Sequence, residues 1–206
     1  MELRAASQER TRQRITESAV ELHGTLGPAR TSMSAVAAHA GVRRSTLYRH
    51  FPDEAALFDA CTAHWAAANR PPDLEHWASI ADTQERLVLA LQELYGYYRR
   101  TERMLENLFR DERTVPIVAE RFAALRGYFD LARDTLLSGR GDQGEVEQQM
   151  RAALGHAVAF STWRSLVGEQ GLEDAQAVEL MCAFVSTAAQ PPVDAAPIVA
   201  ASMTKR

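Results

Sequence analysis

"VAAHAGVRRSTLYRHF", Val36 to Phe51, is the stretch that decides how this chain is read. A run of small residues suited to a helix meets a single glycine, Gly41. The nine residues beyond it hold three arginines, two small hydroxyls, a tyrosine and a histidine. Two helices that meet at about a right angle across a short turn cannot tolerate bulk at their crossing. Ala37, one turn before the glycine, supplies a small side chain there. Gly41 can take positive φ and turn the chain at little steric cost. Leu47 is placed to return the next helix onto the previous one. Ala37, Gly41 and Leu47 are thus the scaffold of a helix-turn-helix spanning about residues 32–51.

The helix being aimed carries the chemistry. A recognition helix enters the major groove of DNA with its N-terminal residues at the base edges. Arg43, Arg44, Ser45 and Thr46 occupy that end. Arginine can bond guanine O6 and N7 as a pair, and small hydroxyls can bond bases or phosphates. Tyr48, Arg49 and His50 at the far end suit backbone phosphates. An αα-hairpin with a solvated basic face fits the same residues when they are taken alone.

Working outward, the whole chain of 206 residues reads as all-α. Upstream, Ile15, Ala19, Leu22 and Leu26 repeat at helical spacing from about Gln8, and Gly27-Pro28 ends that helix. Asp53 can cap the next helix, with Leu57, Phe58, Cys61 and Trp65 as its apolar stripe. "NRPPD", Asn69 to Asp73, reads as a linker. Asp82 with Glu85 resembles a capping box ahead of a long helix striped by Leu87, Leu91, Leu94, Tyr95 and Tyr98. Pro116 fits the first turn of a helix running to about Leu137. Another is expected from near Glu145 to Gly168, and a last one from about Glu173 to Ala189, stopped by Pro191-Pro192. The expected organisation is a helix-turn-helix domain over residues 1–68, a helical bundle over 69–190 and a mobile tail over 191–206.

Charge is distributed unevenly. Residues 1–52 hold eight arginines against four glutamates, so the rest of a chain with net charge −4 carries a surplus of eight negative charges. A basic N-terminal quarter on an acidic body gives one face that seeks polyanions. No apolar run approaches the roughly 20 residues of a membrane span, and the N-terminus lacks the apolar core of a signal peptide, so a cytoplasmic protein without a membrane partner is expected. Cys61 and Cys182 form no CxxC and read as small buried apolar residues.

The longer stretch "TSMSAVAAHAGVRRSTLYRHFPDEAALF", Thr31 to Phe58, resembles the N-terminal domain of the TetR family of bacterial transcriptional regulators. There a threonine-led helix, "A-G-V", a short "T-L-Y-x-H-F" helix and an "x-x-x-L" helix start recur in this order. The likeness covers roughly residues 8–68. It implies that Ser34, Arg43, Arg44, Ser45 and Thr46 face the groove, and that Thr31, Tyr48 and His50 hold phosphates. One position departs: where the family often places a lysine at the start of the fourth helix, this chain has Glu54. A carboxylate there suits the helix dipole but repels DNA, which shifts weight to Arg10, Arg12 and Arg14.

The resemblance also implies an effector cavity in the bundle and a homodimer. Tyr95, Tyr98, Met104, Phe109, Phe160 and Trp163, with His156 as a polar handle, are the candidates for the cavity; core packing is the competing role for each. Leu154, Ala157, Leu180, Met181 and Phe184, on stripes of the last two long helices, are the candidates for a four-helix interface between subunits. One short recognition helix reads too few bases for genomic discrimination, which also favours a dimer.

Other chemistries find little support. "GRGDQG", Gly139 to Gly144, spells GxGxxG but lacks the strand that a dinucleotide fingerprint follows. None of the six histidines has a glutamate three residues before it, as a carboxylate di-iron bundle requires. Neither HExxH nor GxSxG occurs. The reading is therefore no enzyme, no metal and no cofactor. It is a homodimeric repressor, released from a palindromic double-stranded DNA operator by a small apolar or aromatic effector. The alternative is a helical protein-interaction module that does not bind DNA.

Overall fold

A computed structural model describes residues 2–140 and 144–188 of the chain. Every regular element among them is helical. Helix α1 (Glu2–Thr25) begins six residues earlier than the apolar periodicity indicated, because residues 4–10 are exposed and bring no apolar stripe to the core. It buries Ile15 and Ala19 completely. Gly27, at φ +93°, turns the chain into a single 3₁₀ turn, Pro28–Arg30, that the sequence did not signal.

Three short helices follow. Ser32 caps α2 (Met33–His39) by accepting from the Ala35 N–H, and Met33, Val36 and Ala37 face inward. The chain reverses at Gly41, φ +63°, where the Val42 N–H bonds the Ala37 carbonyl. Leu47, fully buried, anchors α3 (Arg44–His50). Asp53 caps α4 (Glu54–Ala68) through the Ala56 N–H. These elements enclose a core of their own, centred on Ile15, Val36, Leu47, Phe51, Leu57 and Cys61.

The remaining helices surround a second, larger core. Asp73 caps the short α5 (Leu74–Ser79), which falls just beyond the expected linker. Asp82 accepts from the Gln84 and Glu85 N–H groups and starts α6 (Thr83–Asp111), the longest element. Helix α7 (Pro116–Leu137) opens on its proline as expected. Buried Arg86 of α6 donates to the carbonyls of Thr135 and Ser138, supplying donors that the end of α7 lacks. Helix α10 (Asp174–Ala188) packs on α6 and on α8 (Glu145–Ala157).

The single helix expected from Glu145 to Gly168 is broken. Helix α8 stops at Ala157, Ala159 is extended, and α9 (Phe160–Trp163) restarts and continues as a π-helical turn over Arg164–Glu169. The cause lies on α6. The Tyr95 hydroxyl donates to the Ala157 carbonyl at 2.9 Å, and the Tyr98 hydroxyl donates to the Val158 carbonyl. Those donors stabilise the free carbonyls of an ended helix, and the break lets Phe160 and Trp163 turn onto the Tyr98 ring. No described helix is long and apolar enough to cross a membrane. Residues 191–206, expected to form the tail, lie outside the described residues, as do residues 141–143 of the Gly139–Gly144 loop.

Candidate nucleic-acid interface and cavity

The turn at Gly41 aims α3 so that one side of it is inward and the other bare. Leu47 points into the core, while Arg43, Arg44, Ser45, Tyr48 and Arg49 are exposed and Thr46 and His50 half-buried. Arg43 and Arg49 make no ion pair among the described residues. The Arg44 guanidinium lies 5.4 Å from the centre of the Tyr48 ring and donates to its hydroxyl at 3.2 Å. Ser34 is exposed on α2, and the half-buried Thr31 donates its hydroxyl to the Gly27 carbonyl at 2.8 Å. The His50 Nε2 is buried without a partner. Burial, with Arg49 and Arg12 adding to it, holds that imidazole below its ordinary pKa.

Two flanking residues have definite roles. Arg12 stacks 4.4 Å above the Phe51 ring and donates to the His50 carbonyl at 3.1 Å, so it braces α3 against α1. Glu54 is exposed in the first turn of α4, where the helix dipole favours it.

The end of α1 is gripped by the end of α6. Asn107, buried, donates to the carbonyls of His23 and Gly24, both at 2.9 Å. Arg110 donates to the Leu26 carbonyl, and Asp111 accepts from the Ala29 N–H at 2.9 Å. Burial would raise the Asp111 carboxyl, but the Arg110 guanidinium and the Ala29 N–H hold it below the usual carboxylate range. A Cβ on Gly27 would stand 2.0 Å from an Arg110 nitrogen and 2.5 Å from an Asp111 oxygen. Glycine is required there by conformation and by space.

Beside this joint lies a cavity of about 270 Å³. Its walls come from both cores: Val20 and His23 of α1, Phe58, Cys61 and Trp65 of α4, Tyr97, Met104 and Leu108 of α6, and Val118, Phe122, Leu125 and Tyr128 of α7. Burial lowers the His23 pKa to about 4 despite the opposing pull of Asp111, so the ring is neutral at neutral pH. The Cys61 sulfur lies 3.6 Å from its Nδ1, and burial pushes that thiol up to about 12. Outside, Arg121 of α7 pairs with Asp59 of α4 at 2.5 Å and with Glu120.

Of the cavity candidates picked from sequence, Met104 lines this space. Tyr95, Tyr98, Phe160 and Trp163 are instead packed together inside the bundle core. Phe109 stacks on Phe160 at 5.4 Å, and both border a separate hollow with Arg113 and Arg133. His156 is exposed, beside Thr162 and 5.7 Å from the Phe184 ring, and touches neither cavity. The physical reason is that α6 has two aromatic faces. Tyr95 and Tyr98 face α8 and α9, whereas Tyr97, Met104 and Leu108 face α1, α4 and α7. The sequence signal was the adjacent pair Tyr97-Tyr98, whose members must point about 100° apart on a helix.

The expected subunit interface divides likewise. Leu154, Ala157 and Met181 are buried within the chain, while Leu180 and Phe184 are exposed. Helix α10 turns Ala177, Val178, Met181 and Val185 inward, which leaves those two large apolar side chains outward. Among the described residues, no group of three or more His, Cys, Asp or Glu side chains converges as a metal site would require.

A helix-turn-helix joined through a buried polar grip to a helical bundle, with a cavity at the junction, places the molecule among all-helical proteins of two-core architecture. Residues 15–61, which span the helix-turn-helix, match the family of bacterial regulatory proteins, tetR family. Solved structures share the fold over most of the chain. A protein of Clostridium perfringens described as a fatty acid metabolism regulator is 14% identical, with a TM-score of 0.62 over 85% of this chain and 97% of its own. A protein of Mesorhizobium loti described as a TetR-family transcriptional regulator is 16% identical, with a TM-score of 0.61 over 88% and 96%. One from Saccharomonospora viridis, described as a transcriptional regulator in complex with choline, is 18% identical, with a TM-score of 0.56 over 86% and 96%. No curated protein matches the sequence.

Proposed function

We propose that the protein is a ligand-responsive, DNA-binding transcriptional regulator acting as a homodimeric repressor. The observation that carries this reading is α3: a rigidly seated helix whose bare side presents Arg43, Arg44, Ser45, Tyr48 and Arg49, with Ser34 beside it. In a dimer, two such helices would enter successive major grooves about 34–36 Å apart on a palindromic operator. Thr31, Thr46 and His50 would add contacts at the edges of that surface. The outward Leu180 and Phe184 of α10, with His156, are where a second copy would pack. The domains of this reading are 1–68 for DNA and 69–190 for effector and partner.

The effector would occupy the cavity at the junction, not the buried aromatic cluster around Tyr98. Its walls include α1 and α4, which carry the helix-turn-helix, so a molecule seated there acts directly on the elements that set the spacing of two recognition helices. A coupling of about 1–3 kcal/mol would change operator affinity roughly 5–150-fold.

The test is fluorescence anisotropy on DNA flanking the protein's own gene, against scrambled DNA, over a salt series. Tight, sequence-selective binding that weakens steeply with salt is expected, because phosphate contacts release counterions. Arg44→Ala should reduce discrimination at its base by about 1–3 kcal/mol. No binding at low salt, or binding indifferent to salt and to Arg44, would overturn this reading in favour of a protein-interaction module.

A further inference from the structure

Among the described residues on the wall of the junction cavity, Arg121 of α7 carries the only charge, and it already holds a carboxylate. No acidic residue is part of that wall, and burial keeps His23 neutral. The Arg121 Nε donates to Asp59 Oδ1 at 2.5 Å and its Nη2 to Asp59 Oδ2 at 3.3 Å. This is the two-pronged grip by which a planar guanidinium matches a carboxylate. The remaining Nη1 donates to Glu120 at 2.7 Å. Asp59 itself is not on the wall, although its α4 neighbours Phe58 and Thr62 are.

The pair is weak enough to be exchanged. The Asp59 side chain is 53% exposed and that of Arg121 33%, so water screens their attraction and the contact adds little to stability. A carboxylate on an apolar body could present two oxygens to the same edge of the guanidinium. Its body would leave water among Phe58, Trp65, Phe122 and Leu125, a gain that Asp59 does not have. A cation would meet the guanidinium and no acid on the wall.

We propose that the ligand of this cavity is an apolar-bodied carboxylate that displaces Asp59 from Arg121. The proposal rests on the reading of the cavity as the effector site. In the exchange the Nε and Nη2 donors change partner, Asp59 turns to water and Glu120 keeps its bond. The consequence is mechanical. The Asp59–Arg121 pair ties α4 to α7, so the incoming acid removes that tie from the helix that follows α3.

Two matched series test it by calorimetric titration into the full-length protein: 4-phenylbutyrate and octanoate, each with its amide and its amine. The carboxylates should bind about tenfold more tightly than the amides, a charged hydrogen bond gained less an exposed pair lost. Arg121→Gln should abolish that preference and leave amide binding intact, which also shows that the variant is folded. Asp59→Asn should tighten carboxylate binding by up to about fivefold, since no pair remains to be broken, and leave the amides unaffected. Combined with Arg121→Gln, the same change should bring no gain. Equal binding of acid and amide, or acid preference surviving Arg121→Gln, overturns the proposal and leaves the cavity as a site. Tightest binding of the amines overturns the sign of the ligand's charge. An Asp59→Asn variant without the gain, or a gain that persists in the double variant, overturns the exchange. Failure of every probe to bind overturns both the ligand class and the cavity reading. Carboxylate binding that depends on both residues, in a protein that binds no DNA, upholds the ligand class and removes the regulator reading.

Discussion

Two glycine turns bound the same pair of short elements, and they are built on opposite terms. At Gly41 a Cβ would meet nothing within 4 Å, and the backbone bonds among Ala37, Ala38 and Val42 define the turn alone. At Gly27 the chain is pressed against Arg110 and Asp111, and the surrounding carbonyls are taken by Asn107 and Arg110. The first turn sets the angle of α3 and leaves its surroundings open. The second seats that whole unit on the far end of α6. The difference separates aiming from attachment: aiming is local and conformational, whereas attachment is a buried polar network that extends across both cores.

The sharpest way to break this contrast is Gly27→Ala. Positive φ and two contacts far inside van der Waals distance should together cost about 3 kcal/mol, read from urea unfolding. A loss below about 1 kcal/mol would mean that the grip yields and the two turns are alike.

Acid should strike the attachment through His23, and α3 in the same sense through His50, whose pKa is also lowered. Folded His23 stays neutral down to about pH 4, whereas in the unfolded chain it takes up a proton near pH 6.5. The unfolded state thus binds more protons between those values, so stability is full above the upper one and falls as pH drops toward the lower. Between pH 7 and pH 5 the loss should be about 2 kcal/mol. His23→Gln should flatten that slope; an unchanged slope would place the titrating group elsewhere.

The smallest effect belongs to Gly41→Ala. With open space around it, only the left-handed backbone resists, at about 1 kcal/mol. Its larger consequence should be in operator affinity, since the angle of α3 shifts. If stability fell as far as in Gly27→Ala, the turn would be under tertiary constraint after all.

What could be read from the sequence follows the same division. The helix-turn-helix was legible because its determinants are neighbours: Asp53 as a cap, Ala37, Gly41 and Leu47 at fixed spacing. Asp82 and Pro116 marked two further helix starts for the same reason. The break after Ala157 was not legible, since a lone Gly155 inside a helical pattern does not by itself stop a helix and the tyrosines that stabilise the break lie about 60 residues away. The short α5 was hidden by the prolines before it, although Asp73 stood ready as its cap. The cavity escaped because its walls come from four helices. Periodicity identified α6 as apolar on several sides but could not say which side met α8 and which met α4. The choice of Tyr95 and Tyr98 over Tyr97 turned on that ambiguity, and so did the assignment of His156 to the interior.

The placement of the tryptophans gives the molecule an intrinsic optical readout. Trp77 and Trp163 are sealed in the bundle core, their indole N–H groups donating to Glu93 and Asp174. Trp65 alone of the three stands on the cavity wall. Emission from the first two should report only on unfolding of the bundle, while quenching or a spectral shift confined to the third would register occupancy at the junction. Replacing Trp77 and Trp163 by phenylalanine would leave a single-fluorophore protein whose colour follows the state of that one site.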